Sequence, residues 1–438
     1  MNTSSNTEAA LGASAPLYAL YVFFQSSPAI WSLIAIFSSI VSYLFLASPK
    51  IQSSSSKAER AKAMKAAFKA IENRAAAPKN VENAALSNTM QISKLWIYPI
   101  KSIRGCPVSH AVLTREGFYL DRKFMLLKDL EETPRKLQNM HVPAFPSMSL
   151  FHTAIEGDKL IVSYRRPGTA HPTGATLEVP LEPSNLESLQ KLPINMHSSH
   201  TTAYDLGAEP SKWFSDRFGF KVVLAYWGGN PRPVLGNLPG QPTNQGRKKK
   251  TVVAQTARRI PVLRSLLGDD DDGIIAFNDC APYLVINERS VADVSTRLPE
   301  HMEMDHTKFR ANIVVTGSEA AFEEDFWGEL TFGGGGGEES SKIILTGNCA
   351  RCKSLNVDYR TGEAGKGKDG EILKLLQKDR RVDAGTKYSP IFGRYGFAGR
   401  ESEGRVLSVG DEVLVSRRND ERTVFYWPGI SSVNPSDW

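Results

Sequence analysis

Few residues in this chain have the types and spacing that chemistry needs, and the pair that stands out is Cys349 and Cys352 in Cys349-Ala350-Arg351-Cys352. Two thiols three positions apart can form half a zinc site, a redox couple, or simply two small apolar residues. Zinc would need two further ligands, and Cys106 and Cys280 lie singly at unrelated spacings. A thioredoxin-like couple would need a βαβ setting, which the flanking sequence lacks. No His-Glu-x-x-His and no Gly-x-Ser-x-Gly occurs, and the eight histidines form no ligand-spaced pair. Zinc hydrolysis and serine acyl transfer therefore find no support. The glycine run Gly333–Gly337 has no Lys-Ser/Thr after it and lies between two strand-like segments, so it reads as a hairpin turn and not a phosphate loop.

The elements that must position such residues are short and β-rich. Ile92–Ile97, Ala111–Leu113, Phe124–Leu127, Leu160–Tyr164 and Thr176–Val179 are separated by Gly, Pro, Asp or Asn. Further strands are expected at Tyr283–Ile286, Ile313–Val315, Lys342–Leu345 and Val413–Val415, with the cysteine pair just after Lys342–Leu345. Such close spacing argues for barrel or sandwich packing rather than alternating β-α units. Helices are expected at Ser211–Phe218, at Ser290–Leu298 with Ser290 as N-cap, and at Gly370–Arg380. Asn230–Asp272 carries the basic run Arg247–Lys250 and the acidic run Asp269–Asp272 among Pro and Gly, the pattern of a solvated insertion. The aromatic cluster Phe425-Tyr426-Trp427 is expected to dock the tail on the body.

A length of 438 residues exceeds one ordinary domain, and 41% hydrophobic with 23% charged residues excludes a wholly disordered or fibrous chain. Four cysteines exclude a disulfide-rich secreted scaffold. Residues 1–74 hold seven Lys/Arg against three Glu, which is +4 of the chain's +6. The rest is thus nearly neutral, which sets nucleic-acid binding aside. No charge occurs from Ala9 to Pro49, and the nineteen residues Ala29–Ala47 suffice for a helix to cross a hydrocarbon core. A cleaved secretory signal fits poorly, because no basic segment precedes the run. The basic flank after Lys50 puts the body on the cytosolic side. Lys57–Arg74 reads as a basic helix drawn to anionic head groups, or equally as a solvated spacer.

Six ordered motifs resemble the MOSC domain family. Trp96-Ile97-Tyr98-Pro99-Ile100-Lys101-Ser102-Ile103-Arg104-Gly105 is similar to the opening of its N-terminal domain, and Leu120-Asp121-Arg122 with Phe124 to the next block. Phe309-Arg310-Ala311-Asn312-Ile313-Val314-Val315 resembles the core of the MOSC domain itself. The Cys-x-Arg-Cys run, Ser389–Tyr395 and Val409–Val413 follow in family order, so the likeness spans about residues 91–416. With its anchor, the chain looks most like the branch made of molybdenum enzymes that reduce amidoximes. The resemblance implies an α+β, mainly β fold: a MOSC β-barrel paired with a β-rich N-terminal MOSC domain and preceded by one transmembrane helix. The expected organisation is an anchor over 1–50 (helix about 29–47), a basic helix and linker over 51–90, the N-terminal domain over 91–225, a flexible insertion over 226–272, the MOSC domain over 273–417 and a tail over 418–438.

The resemblance further implies molybdenum-molybdopterin as cofactor, with Cys352 as metal ligand and catalytic centre. That accords with the preference of molybdenum for soft sulfur. Arg351 next to it is expected to favour the thiolate. Lys101, Ser102, Arg122, Arg310, Asn312, Arg351 and Tyr395 match the family's cofactor positions, and Arg forks suit phosphate oxygens. Two departures stand out: Asp279-Cys280-Ala281-Pro282 where the family continues Thr-Ser-Pro after its Asp, and Ala350 in place of a Ser. The implied activity is reduction of N-hydroxylated compounds (amidoximes, hydroxylamines, hydroxamic acids). Electrons are implied to come from cytochrome b5 and its NADH-dependent reductase, since no NAD or flavin motif occurs. The implied location is the mitochondrial outer membrane, with the endoplasmic reticulum second. The rivals are the sulfur transfer of cofactor sulfurases, which needs a pyridoxal-phosphate domain, and a non-enzymatic carrier of the cofactor.

Overall fold

Side-chain alternation sorts the strands of this protein into two kinds. In Lys191–Met196, Leu192, Ile194 and Met196 are buried while Lys191, Pro193 and Asn195 are exposed, the period of two that one covered face requires. In Tyr283–Asn287 every residue is buried. Tyr283 and Val285 enter one core with Ile313, Val315 and Leu345, whereas Leu284 and Ile286 enter a second with Val294, Phe309 and Leu376. A strand covered on both faces can keep polar groups only where they are paired: the Tyr283 hydroxyl donates to the Thr114 carbonyl and Asn287 caps the following helix. The structure, a computed structural model, describes residues 89–240, 273–333 and 340–433. The expected anchor helix, the basic helix after it, most of the insertion and most of the glycine run lie outside the described residues. Among the described residues no helix is long and apolar enough to cross a membrane.

The fold is mainly β. Its largest sheet has eight strands, in the order Cys106–Val108, Gln91–Ile97, Ile313–Thr316, Tyr283–Asn287, Ile391–Ala398, Ser341–Ala350, Trp327–Phe332 and Val413–Arg418. Gln91 also bridges to Glu412, and the Val413 N–H donates to the Met90 carbonyl at 2.8 Å. The sheet thereby curls into a nearly closed barrel and leaves little open edge. Its first two strands come from the N-terminal stretch of the chain, so Gln91–Ile97 lies antiparallel to Ile313–Thr316. The loops that leave those strands consequently meet across the sheet. A five-stranded sheet holds Lys191–Met196, Ser199–Asp205, Val222–Tyr226, Phe124–Asp129 and Leu137–Asn139, with helix Ala208–Phe218 against it.

Several expectations need correction. The strand foreseen at Lys342–Leu345 runs over Ser341–Ala350, so Cys349 is part of the strand and only Cys352 lies beyond it. The helix foreseen at Ser290–Leu298 is Glu288–Thr296, capped by Asn287, whose side chain accepts from Arg289 N–H at 3.0 Å. Ser290 falls inside that helix and donates its hydroxyl to buried Glu324 at 2.8 Å. The helix foreseen at Gly370–Arg380 narrows to Ile372–Gln377, because the chain turns to bring Arg380 onto buried Asp325 at 2.7 Å. The start of the insertion is not solvated loop: Arg232 is fully buried and donates to the Ala276 carbonyl at 2.9 Å. The tail docks as expected, with Trp427 fully buried.

Glu324 yields a pH prediction. It is buried with one carboxylate oxygen lacking a partner, and burial pushes its carboxyl up to about 7. A folded-state value above the unfolded one makes the native state hold the proton more tightly between pH 4.5 and 7, so this residue's contribution falls as pH rises through that window. Glu324→Gln should match the parent near pH 5 and exceed it at pH 8 by about 1–3 kcal/mol in urea unfolding. A parent and variant that differ equally at both pH values would contradict this.

Candidate functional site

The loop after Gln91–Ile97 begins with Tyr98, whose buried ring has two guanidiniums packed on it. Arg122 Cζ lies 4.6 Å and Arg310 Cζ 4.5 Å from the ring centroid. Gly105 closes the same loop, and a Cβ there would sit 2.6 Å from the Tyr98 ring, so the motif ends on the residue that leaves the ring its space. Polar bonds lock the stack. Asp121 accepts from Tyr98 N–H at 2.8 Å and pairs with Arg122 Nη1 at 2.5 Å. Asn312 Oδ1 accepts from Arg122 Nη1 at 3.0 Å and from Leu284 N–H at 3.2 Å. Arg122 Nη2 donates to the Arg310 carbonyl at 2.9 Å, and Arg310 Nη1 to the Ile103 carbonyl at 2.7 Å. Burial pushes the Arg310 pKa down, whereas Asp121 outweighs burial at Arg122 and raises it. Arg310 Nη2 is buried and has no partner among the described residues. Ser102, Arg122 and Arg310 all have left-handed backbones, with φ of 67°, 50° and 58°. That conformation is unfavourable for such residues and clusters where a site demands it.

Near these residues Lys101 pairs with Asp279, whose side chain is 57% exposed. Burial alone would raise the Asp279 carboxyl, but Lys101, His197 and Arg122 hold it well below its ordinary value. His197 Nε2 lies 3.9 Å from Asp279 Oδ1. Burial and the Lys101 charge push His141 down. Buried Arg232 fixes the backbone here by donating to the carbonyls of Asn278 and, at 3.2 Å, Asp279.

The two motif cysteines have different surroundings. Cys352 is exposed and opens the 3-10 turn Lys353–Asn356, with its Sγ 3.3 Å from Ser354 Oγ. Cys349 is buried and accepts from Arg351 Nη1 at 2.8 Å. Arg351 Nη2 donates to the Phe309 carbonyl at 2.7 Å, and its guanidinium lies 5.2 Å from the Phe309 ring. Arg351 thus gives its hydrogen bonds to Cys349 and Phe309, while its charge still acts on neighbouring Cys352. Tyr395 comes from the middle of Ile391–Ala398, and burial, with Cys349, Cys280 and Asp279 around it, raises its phenol well above the ordinary value. Lys101, Ser102, Arg310 and Asn312 thus lie at the ends of two adjacent strands, Gln91–Ile97 and Ile313–Thr316, and Arg122 joins Arg310 and Asn312 from the turn before Phe124–Asp129. Tyr395 and the Arg351–Cys352 turn belong to Ile391–Ala398 and Ser341–Ala350, beyond the intervening strand Tyr283–Asn287. Sequence reasoning missed Tyr98, His141, His197 and Arg232 as site components. Tyr98 was inside a quoted motif, while the other three carry no local signal.

These groups suit an anionic ligand that also carries a soft metal. Two buried guanidiniums and an ammonium offer donors for phosphate oxygens, one of them unclaimed among the described residues, and an exposed thiol follows Arg351, which bonds the Phe309 carbonyl. The chain belongs to the MOSC family: residues 272–414 match the MOSC domain and residues 89–221 the MOSC N-terminal beta barrel domain. Within it, the chain is similar to mitochondrial amidoxime reducing component 2 of Bos taurus, 30% identical over 332 residues that cover 74% of this chain and 82% of that one. It is also similar to mitochondrial amidoxime-reducing component 1 of Homo sapiens, 26% identical over 335 residues with the same coverage. Molybdenum cofactor sulfurase of Homo sapiens matches at 26% over 337 residues, 74% of this chain but only 32% of that one.

The contrast between cysteines is testable without turnover. Burial pushes the Cys106 thiol to about 11 and Cys280 well above its ordinary value, and Cys349 is both buried and engaged. Alkylation needs an accessible thiolate. Brief iodoacetamide treatment of the native cofactor-free protein should give one adduct, at Cys352, by peptide mass spectrometry. Comparable labelling at Cys349 or Cys280 would contradict the arrangement.

Proposed function

We propose that the protein is a molybdenum-dependent oxidoreductase that reduces N-hydroxylated compounds with electrons from a cytochrome b5 chain. The observation that carries the reading is an exposed Cys352 next to Arg351, whose guanidinium bonds the carbonyl of Phe309 just before Arg310 of the buried Arg122–Tyr98–Arg310 group, in a chain of the MOSC family. Cys352 would bind the metal through sulfur. Arg310 and Lys101 would hold the phosphate of molybdopterin, with Arg122 kept in place by Asp121 and Asn312. Ser102 and Tyr395 would supply further polar contacts from either side. When bound, the cofactor supplies two-electron oxygen transfer. The protein's own part is to keep the anion desolvated among fixed donors, which strengthens each contact relative to water. Residues 29–47 would tether the body to the cytosolic face of a membrane, the mitochondrial outer membrane in this reading, and tethering raises the effective concentration of an equally anchored electron donor.

The second reading, a carrier of cofactor or sulfur, is favoured by the likeness to molybdenum cofactor sulfurase. Turnover separates the two. Purified protein supplied with reduced cytochrome b5 should reduce benzamidoxime, and Cys352→Ser should lose both molybdenum and activity, because a hydroxyl is a hard, protonated substitute for a thiolate. Cys349→Ser should keep a substantial fraction of both, since a serine oxygen can still accept from Arg351. Equal loss in the two variants, or full activity in Cys352→Ser, would sink the single-ligand assignment. Cofactor binding without turnover would favour the carrier.

A further inference from the structure

The loop that leads into Ile391–Ala398 carries Tyr388, which is 71% exposed and the most open of the large hydrophobic side chains among the described residues. One exposed ring needs no explanation by itself, but its setting is unusual. Lys387 Nζ lies 5.2 Å from the ring centroid. Gln377 Nε2 donates to the Tyr388 carbonyl at 3.4 Å, which ties the loop to the end of helix Ile372–Gln377. The Ile391 N–H donates to the Arg380 carbonyl at 2.8 Å and Arg380 Nε to the Ile391 carbonyl at 3.3 Å, so the turn with Lys378 and Arg381 is fixed against the same loop. Lys353, Lys378, Arg381 and Lys387 are all exposed, and none has a carboxylate partner among the described residues. Charges nearby are matched: Lys368 lies 3.2 Å and Lys374 3.6 Å from Glu371, and Asp379 is taken by Arg297 at 2.7 Å. Four unmatched cations around one open ring are therefore a local feature of a body that is nearly neutral.

This patch adjoins the exposed thiol. Ala350 pairs with Ile391 across two neighbouring strands, and the Arg351 N–H donates to the Pro390 carbonyl at 2.9 Å. Tyr388 is thus two residues, at most about 7 Å of chain, from the residue bonded to the neighbour of Cys352. Asn356, at the end of the turn that Cys352 opens, accepts from the Leu373 N–H at 2.8 Å. That bond fixes the turn against helix Ile372–Gln377, and Lys353 follows Cys352 directly. Thiol, cations and ring therefore sit on three segments joined by hydrogen bonds.

We propose that Tyr388 and the cations Lys353, Lys378, Arg381 and Lys387 form the docking surface for an acidic one-electron haem protein. This rests on the reductase reading above. In that reading each turnover breaks one N–O bond, forms an N–H and an O–H bond, takes up two protons and releases water. Its two electrons come from two reduced haem groups, each oxidised by one electron, so donors must arrive and leave twice. Such an encounter needs charge that steers from a distance and little buried apolar area. Unmatched cations supply the steering and demand carboxylates opposite them, and one open ring supplies a central anchor. Docking beside Cys352 also keeps the electron's path to the sulfur short. An anionic bilayer would match the charge equally well. Laid on this face, however, it would cover the thiol at which that chemistry takes place, so a protein is the better occupant.

The test uses the full chain reconstituted in phosphatidylcholine vesicles and two readouts. The first needs no turnover: brief lysine acetylation, read by peptide mass spectrometry, follows Lys353, Lys378 and Lys387. All three should label in the chain alone and be shielded several-fold by saturating oxidised cytochrome b5 at low salt, and about 0.5 M salt should remove the shielding. Labelling that the cytochrome leaves unchanged would overturn the proposal. Shielding by vesicles that contain phosphatidylserine, with no cytochrome present, would assign the face to the membrane and overturn it too. In the second readout, a chain with Lys378→Glu, Arg381→Glu and Lys387→Glu together should lose about ten- to a hundredfold in kcat/KM for reduced cytochrome b5. Its turnover with dithionite-reduced methyl viologen, a small donor that needs no docking surface, should stay at or above the parent's. Unchanged kcat/KM for the cytochrome, or equal loss with both donors, would overturn the proposal and leave the reductase reading intact. A parent that turns over with neither donor is a failure of the reductase reading, and the acetylation pattern then decides the docking surface alone.

Discussion

Two like-charged guanidiniums held against one buried aromatic ring are the constraint on which this site depends. Arg122 and Arg310 repel each other and are both removed from bulk water, a costly arrangement unless something compensates. The Tyr98 ring offers each of them a negative face, worth about 1–2 kcal/mol apiece when desolvated. Asp121 neutralises one of the two charges, and Asn312 and backbone carbonyls take up most of the remaining N–H groups. One donor of Arg310 stays unclaimed, which is what an anion site needs. Arg122 and Arg310 both hold left-handed backbones, a conformation unfavourable for such residues that clusters at sites which demand it.

The barrel makes this stack attainable. Tyr98 and Arg122 belong to the N-terminal stretch and Arg310 and Asn312 to the C-terminal one, yet Gln91–Ile97 and Ile313–Thr316 are adjacent strands of one sheet. Their neighbouring loops are therefore fixed to each other by strand pairing before any ligand is considered. The cysteine pair shows a similar division. Strand Ser341–Ala350 buries Cys349 and turns it into an acceptor for Arg351, then ends and leaves Cys352 in the open. One motif thus provides a structural sulfur and a reactive one.

Much of this was legible in the sequence, and the reasons for the rest are physical. Strands such as Phe124–Asp129 and Tyr283–Asn287 announced themselves through runs of apolar and β-branched residues, and the ordered motifs brought Lys101, Arg122, Arg310 and Cys352 to attention together. Strand pairing between residues more than 200 positions apart has no local signature, so neither the shared sheet nor the Tyr98 stack could be read from spacing. Hydrogen-bond choices were equally hidden: Arg351 is adjacent to Cys352 in sequence, but its guanidinium points to Cys349. Arg232 lay in a stretch whose Pro, Gly and charge suggested solvent, and only the pairing of Arg232–Pro233 with Ile274–Ile275 brings it inside.

The claim that the ring-centred stack makes the anion site can be tested by quantifying pterin released from purified Tyr98→Leu and Tyr98→Phe proteins, with cooperative unfolding as a check on the fold. Leucine removes the ring face from both arginines, a loss of about 1–2 kcal/mol of support for each. Pterin per chain should then fall about tenfold or more in Tyr98→Leu. Phenylalanine keeps the face and should stay near the parent. Undiminished pterin in a folded Tyr98→Leu protein, or equal loss in both variants, would contradict the account.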